Sequence, residues 1–159
     1  MRLVIATETP LQDDVRLLVA ALNAHLSPLS PKEFQFQMSV EQMAGADTTV
    51  FVARLDGEAV GVGALKVYDA ALGEVKRMYT VPKVRGQRVG SAILGAIEHE
   101  AKRKGLRTLL LETGAGAGFE GAHRLYSRSG FTPRGAFFDY PDSGHSAFFE
   151  KHLAAKSAA

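Results

Sequence analysis

Hydrophobic positions along this chain recur at two spacings, roughly two and roughly 3.6 residues, and the changes between them mark its elements. Arg2 to Ala6 read as a first strand. Asp13 and Asp14 then precede Val15, Leu17, Leu18, Ala21 and Leu22, an amphipathic helix with its acidic residues at the start. Two prolines within His25 to Pro31 break that period, and a short helix is predicted over Val40 to Ala44. Thr49 to Leu55 and Ala59 to Val67 read as strands joined by an Asp56-Gly57 hairpin turn. Gly61 and Gly63 inside the second of these predict a bulge or a close packing contact. A third strand runs from about Gly73 to Val81. Val89, Ile93, Ile97 and Ala101 then recur at helical spacing, and Gly105 suits the position just past the end of that helix.

The mostly apolar run Thr108 to Thr113 reads as a strand buried on both faces. A glycine-rich cleft loop, Gly114 to Gly118, leads to a short helix near Gly121 to Arg128, closed by Gly130-Phe131. Strands near Gly135 to Phe138 and Ser146 to His152 complete the pattern, and the small residues of 153–159 are expected to fray. The long helix between the Gly73 and Thr108 strands makes those two parallel neighbours. The expected fold is therefore α/β (α+β): one mixed, mostly antiparallel sheet with helices on both faces, in a single domain over 1–159.

Composition narrows the chemistry. A net charge of +2 gives no reason to expect a nucleic-acid partner. With no cysteine there is no disulfide, no thiol nucleophile and no thiolate metal site, as suits a reducing cytoplasm. No run is long enough to span a membrane, and Met1 to Ala6 lack the apolar core of a signal peptide, so a soluble cytoplasmic protein is expected. The histidines lack metal-binding spacing, so no metal is expected.

The chemistry concentrates in Val81-Pro82-Lys83-Val84-Arg85-Gly86-Gln87-Arg88-Val89-Gly90-Ser91. Here a strand enters a basic, glycine-bearing loop that opens a helix. Gly86 and Gly90 let backbone come close to a ligand. The first N–H groups of the helix lack carbonyl partners and carry partial positive charge, which makes an anion site best suited to phosphate. Lys83, Arg85 and Arg88 add formal charge beside it.

This stretch resembles the acyl-CoA-binding motif of the GNAT superfamily of N-acetyltransferases, Gln/Arg-x-x-Gly-x-Gly/Ala after a strand ending in Val-x-Pro. Arg85, Val89-Gly90 and the residues around Pro82 fit. Arg88 departs from the pattern by standing where the middle glycine is usual, and it is expected to avoid positive φ and to change the loop locally. A second match is Tyr126-Ser127-Arg128-Ser129-Gly130-Phe131, similar to the family's Tyr-x-x-x-Gly-Phe segment. The resemblance covers Thr49 to Lys151, and before Thr49 it extends only to the helical pattern.

What the resemblance implies is an N-acetyltransferase with acetyl-CoA as co-substrate and a small-molecule or peptide amine as acceptor, attacked directly in a ternary complex. It implies that Tyr126 protonates the departing thiolate and that Glu74 is the base, often acting through water. Glu112, at the end of the buried strand, is the rival carboxylate, and water alone is the remaining alternative. It also implies that Met78, Tyr79, Thr80 and Val81 offer main chain to the pantetheine. Arg85, Gly86, Gln87, Arg88, Val89, Gly90 and Ser91 would hold the phosphates. A non-catalytic acyl-CoA-binding module of the same fold is the alternative, and a homodimer is allowed. Gly116-Ala117-Gly118-Phe119-Glu120-Gly121 also satisfies the dinucleotide fingerprint, with Asp139 roughly where a ribose carboxylate would stand. The short helix after it leaves too little chain for a parallel half-sheet.

Overall fold

A computed structural model describes residues 2–153. Its elements are β1 (Leu3–Thr7), α1 (Asp13–Leu26), α2 (Val40–Met43), β2 (Thr48–Leu55), β3 (Glu58–Val67), β4 (Leu72–Thr80), α3 (Val89–Arg103), β5 (Thr108–Gly114), α4 (Glu120–Arg128), β6 (Thr132–Arg134) and β7 (Ser146–His152). The seven strands form one sheet in the order β1-β2-β3-β4-β5-β7-β6. Every neighbouring pair is antiparallel except β4 with β5, the two strands joined through α3.

Both faces of the sheet are covered. On one, Val89, Ile93, Leu94 and Ile97 of α3 pack over Leu65, Val75, Leu109 and Leu111, with Tyr126 of α4 and Phe131 alongside. On the other, Val15, Leu18 and Val19 of α1 close over Val50, Val52 and Val62 with Met38 and Met43. Gly61 and Gly63 are a close packing contact and a bulge site together. A Cβ on Gly61 would stand 2.8 Å from Ile93 Cδ1, and one on Gly63 would stand 2.6 Å from Met78 Sδ. The pairing of β3 with β4 also slips at Gly63.

Two expectations are corrected. The strand near Gly135 to Phe138 is absent; β6 lies earlier, at Thr132–Arg134. Phe138 takes φ +51°, which a strand cannot hold, while Phe137 turns inward onto Leu110 and Phe148. Burying that ring outweighs extending the chain. Fraying does not begin at residue 153 either, since Leu153 is buried and its amide donates to the Arg107 carbonyl at 2.8 Å. The rest of the expected tail, 154–159, lies outside the described residues. No helix among the described residues is long and apolar enough to cross a membrane.

Candidate active site

The site begins where β4 and β5 part. Their parallel pairing runs from Leu72↔Thr108 to Val75↔Leu111 and stops there. β5 continues through Glu112, Thr113 and Gly114 paired only with β7. On its other side β4 carries a bulge: Lys76 pairs with Ala64 and Tyr79 with Val62, so Arg77 and Met78 together oppose Gly63. Arg77 takes φ +57° to make this possible. Beyond Val75, β4 thus presents a main-chain edge with no strand beside it. The opening is a cleft of about 790 Å³, bounded by β4, the start of α3, the end of β5, α4 and the α1 side of the molecule.

At one end of the cleft stands the start of α3. The first helical bond runs from the Ala92 N–H to the Arg88 carbonyl at 3.0 Å, so the amides of Val89, Gly90 and Ser91 precede it and remain free of helical acceptors. Arg88 is the cap residue, at φ +64° and ψ +20°. This corrects the expectation that a residue with a side chain would avoid positive φ there. The loop keeps the left-handed turn a glycine would make, at a cost of about 1–2 kcal/mol. Gly86, at φ +85°, makes the preceding turn.

The expected phosphate residues divide. Arg85, Gly86, Arg88, Val89, Gly90 and Ser91 line the cleft, as do Met78, Tyr79 and Thr80. Val81 and Gln87 are not on its wall. The Val81 amide donates to the Val60 carbonyl at 2.9 Å, and Gln87 Nε2 donates to the Lys83 carbonyl at 3.3 Å. The Lys83 ammonium pairs with Glu58 at 2.7 Å. Arg85 donates to the Thr80 carbonyl at 3.0 Å and lies over the Tyr79 ring, so it ties the loop to the end of β4. Besides Lys76 and Arg77 of β4, two basic residues that the sequence did not single out, Arg124 and Arg128 of α4, also line the cleft. Their spacing of one helical turn, flanking Tyr126, was the available signal.

Tyr126 is buried at 7 % exposure, its ring packed between Phe131 and Phe149 with centroids 6.1 Å from each. It also lines the cleft. Burial and, secondarily, the charge of Glu112 hold its phenol well above the ordinary value, so it stays protonated at neutral pH. His123, one turn earlier, holds the end of β5 through Nε2 and the Gly114 carbonyl at 2.8 Å.

The two carboxylates differ in what remains open on them. Glu74 is 1 % exposed. Its Oε1 accepts from the Tyr68 hydroxyl at 2.7 Å, and its Oε2 accepts from the Tyr140 hydroxyl at 2.7 Å and faces Lys76 Nζ at 3.4 Å. Lys76 also donates to Tyr140 at 2.8 Å. Both oxygens of Glu74 are therefore engaged. Glu112 lines the cleft with only Oε2 committed, to the Ser146 hydroxyl at 2.6 Å. Burial raises its carboxyl above the usual range, against the lowering effects of Ser146 and the Lys76 charge. Among the described residues no cluster of His, Cys, Asp or Glu is arranged to hold a metal ion. The Gly116 fingerprint gains no βαβ unit: the helix after it has nine residues and leads to β6, which pairs only with β7.

The splayed β4–β5 pair, the start of α3 and the Tyr126 phenol thus share the lining of one cleft. The sequence matches the acetyltransferase (GNAT) domain over residues 46–133. It is 41 % identical over 150 residues to the IAA acetyltransferase of Azospirillum brasilense, covering 94 % of this chain and 97 % of that protein. A Klebsiella pneumoniae structure ascribed to the acyl-CoA N-acyltransferases superposes with a TM-score of 0.80 at 33 % identity, over 96 % of this chain and 98 % of that one. The fold is shared too with a PaiA N-acetyltransferase of Thermoplasma acidophilum solved with coenzyme A, at TM-score 0.75 and 17 % identity, over 96 % and 100 % of the two chains. The chain belongs to the GNAT acetyltransferase family and is an acetyltransferase with acyl-CoA as donor.

Proposed function

We propose that this protein moves an acetyl group from acetyl-CoA to a primary amine by direct attack in a ternary complex. The observation that carries this reading is the β4 edge left open past the Val75↔Leu111 pair, in a cleft that the free amides at the start of α3 and Tyr126 both line. The pyrophosphate lies on the amides of Val89, Gly90 and Ser91, beside the guanidinium groups of Arg88, Arg124 and Arg128. The pantetheine runs along Met78 to Thr80 and brings the thioester toward Tyr126.

Glu112, and not Glu74, takes the proton from the acceptor ammonium. It keeps an oxygen without a protein partner, and its raised pKa brings its basicity nearer neutrality. The freed amine lone pair attacks the thioester carbonyl carbon, and the carbonyl electrons move to oxygen. A main-chain N–H of the open edge stabilises that oxyanion. As the C–S bond breaks, the sulfur keeps the electron pair and receives the Tyr126 proton. The nitrogen sheds its remaining extra proton, leaving the amide and free CoA.

The test joins binding with turnover. Acetyl-CoA should raise the melting temperature far more than NAD or ATP, since a ligand at 100-fold its dissociation constant adds about 2.7 kcal/mol. Initial-rate plots with an amine acceptor should intersect, as a ternary complex requires. Parallel plots would overturn direct attack, and protection by NAD equal to that by acetyl-CoA would overturn the donor site.

A further inference from the structure

The bulge in β4 does more than open an edge. Alternation along the strand places Val75 toward α3 and Lys76 toward α1, and Arg77 would be next on the α3 side. The extra residue sends Met78 there instead, into the α3 cluster, and leaves Arg77 on the same face as Lys76, in contact with α1. Arg77 as a whole thereby lies at 9 % exposure on the wall of the cleft. Its one hydrogen-bond partner is the side-chain oxygen of Asn23, and its Nε has none. No carboxylate among the described residues lies within ion-pair distance: Glu74 is engaged by Lys76, Tyr68 and Tyr140, and Glu112 by Ser146.

A buried guanidinium without a counter-charge is costly, and folds keep one where something else supplies the anion. Burial accordingly pulls Arg77 down to about 10, which still leaves it charged at neutral pH. The other cations of the cleft are placed for different tasks. Arg88, Arg124 and Arg128 stand by the start of α3 and on α4, Lys76 is taken by Glu74 and Arg85 by the Thr80 carbonyl, whereas Arg77 donates to Asn23 of α1. The donor's phosphates belong to the first end, so the anion for Arg77 arrives on the acceptor.

We infer that Arg77 binds an oxyanion of the acceptor, which makes the substrate class a small primary amine that also carries a carboxylate or phosphonate. This rests on the acetyl-transfer reading above and adds to it a specificity residue. The guanidinium fork offers planar N–H donors that suit either oxyanion, and Nη1, which has no hydrogen-bond partner and, unlike Nε, is not sealed from the cleft, is the donor left for it. With the oxyanion held at Arg77, the amine is directed across the splay toward Glu112 and the thioester.

The test uses the full-length protein, acetyl-CoA and release of the CoA thiol. The acceptors are matched sets of linear amines of increasing length ending in a carboxylate, a carboxamide or a phosphonate. The wild type should prefer an oxyanion-bearing amine over its carboxamide by roughly 10- to 100-fold in kcat/KM, mainly through KM. Whether carboxylate or phosphonate is favoured distinguishes the two sources of the oxyanion. Arg77→Met should bring the ratio to near one without moving the KM for acetyl-CoA, and Arg77→Lys should restore part of it. Equal use of acid and carboxamide by the wild type, or no use of any oxyanion-bearing amine while acetyl-CoA still binds, overturns the inference. So does a preference that survives in Arg77→Met. The wild-type comparison needs no variant and decides the substrate class even if Arg77→Met misfolds. Failure of acetyl-CoA to bind would instead sink the transfer reading itself.

Discussion

Val75 and Leu111 form the last paired rung between β4 and β5, and the next residue of β5, Glu112, is the first to face the cleft without β4 beside it. The carboxylate enters the opening because the strands part at that rung. Burial raises its pKa, while the Ser146 hydroxyl, across β5 and β7, fixes its direction.

Glu112→Gln should therefore separate activity from stability. Loss of the proposed base should lower kcat by roughly 10²–10⁴. In the wild type, the rate should rise with pH through an acid limb lying above the ordinary carboxylate range. The folded pKa of Glu112 exceeds the unfolded one, so this group favours folding most at low pH. That contribution is lost as pH rises from the usual carboxylate range through the raised folded value. The amide carries no charge to bury and can still accept from Ser146. Melts at neutral pH should find Glu112→Gln at least as stable as the wild type, and a marked loss of stability would contradict this account.

Glu74 should behave in the opposite way. Glu74→Ala leaves the Tyr68 and Tyr140 hydroxyls without their acceptor and Lys76 as a largely buried, uncompensated charge. Removal of one partner of a buried pair costs about 3–5 kcal/mol. Denaturant titration should give a loss near that size. Glu74→Gln, where it folds, should keep most of the turnover, and a catalytic loss as deep as that of Glu112→Gln would return the base to Glu74.

The left-handed turn at Arg88 gives a further prediction. Arg88→Gly and Arg88→Ala remove the same charge, but only glycine relieves the backbone at φ +64°. Both variants should raise the KM for acetyl-CoA several-fold at low salt, with the difference from wild type shrinking as exposed charges are screened. By melting, Arg88→Gly should be the more stable of the two by about 1 kcal/mol. Equal stability would mean that the turn is not strained.

The strand and helix pattern was legible because burial here follows periodicity closely: Val89, Ile93, Ile97 and Ala101 are the buried stripe of α3. The loop from Val81 to Ser91 was legible as an anion site, since basic residues and glycines at a helix start carry their chemistry with them. Which of its cations stay free was not legible. Glu58, which takes Lys83, is distant in the chain, and the carbonyl that takes Arg85 is set by the fold. Glu74 and Glu112 look alike in sequence and both line the cleft, and what separates them is the partners the fold brings: Tyr68, Tyr140 and Lys76 engage both oxygens of Glu74, whereas Ser146 takes one of Glu112. The run around Phe137 and Phe138 reads as a strand, but Phe137 turns inward as a plug while Phe138 stays exposed, a choice made by Leu110 and Phe148 on other strands. Arg77 reads as an ordinary strand residue until the slip opposite Gly63 turns it around.

The central claim is that the cleft splits acetyl-CoA with Tyr126 as the acid, and Tyr126→Phe tests it most directly. The change removes one hydroxyl and almost no volume, so the packing on Phe131 and Phe149 stays. The measurement is single-turnover acetyl transfer by wild type and variant at saturating acetyl-CoA and acceptor, with the chemical step limiting. The account predicts unchanged acetyl-CoA affinity and melting temperature with a rate constant reduced by roughly 10–10³. A variant that folds, binds acetyl-CoA and transfers at the wild-type rate would contradict it, and would leave Tyr126 as a core residue only.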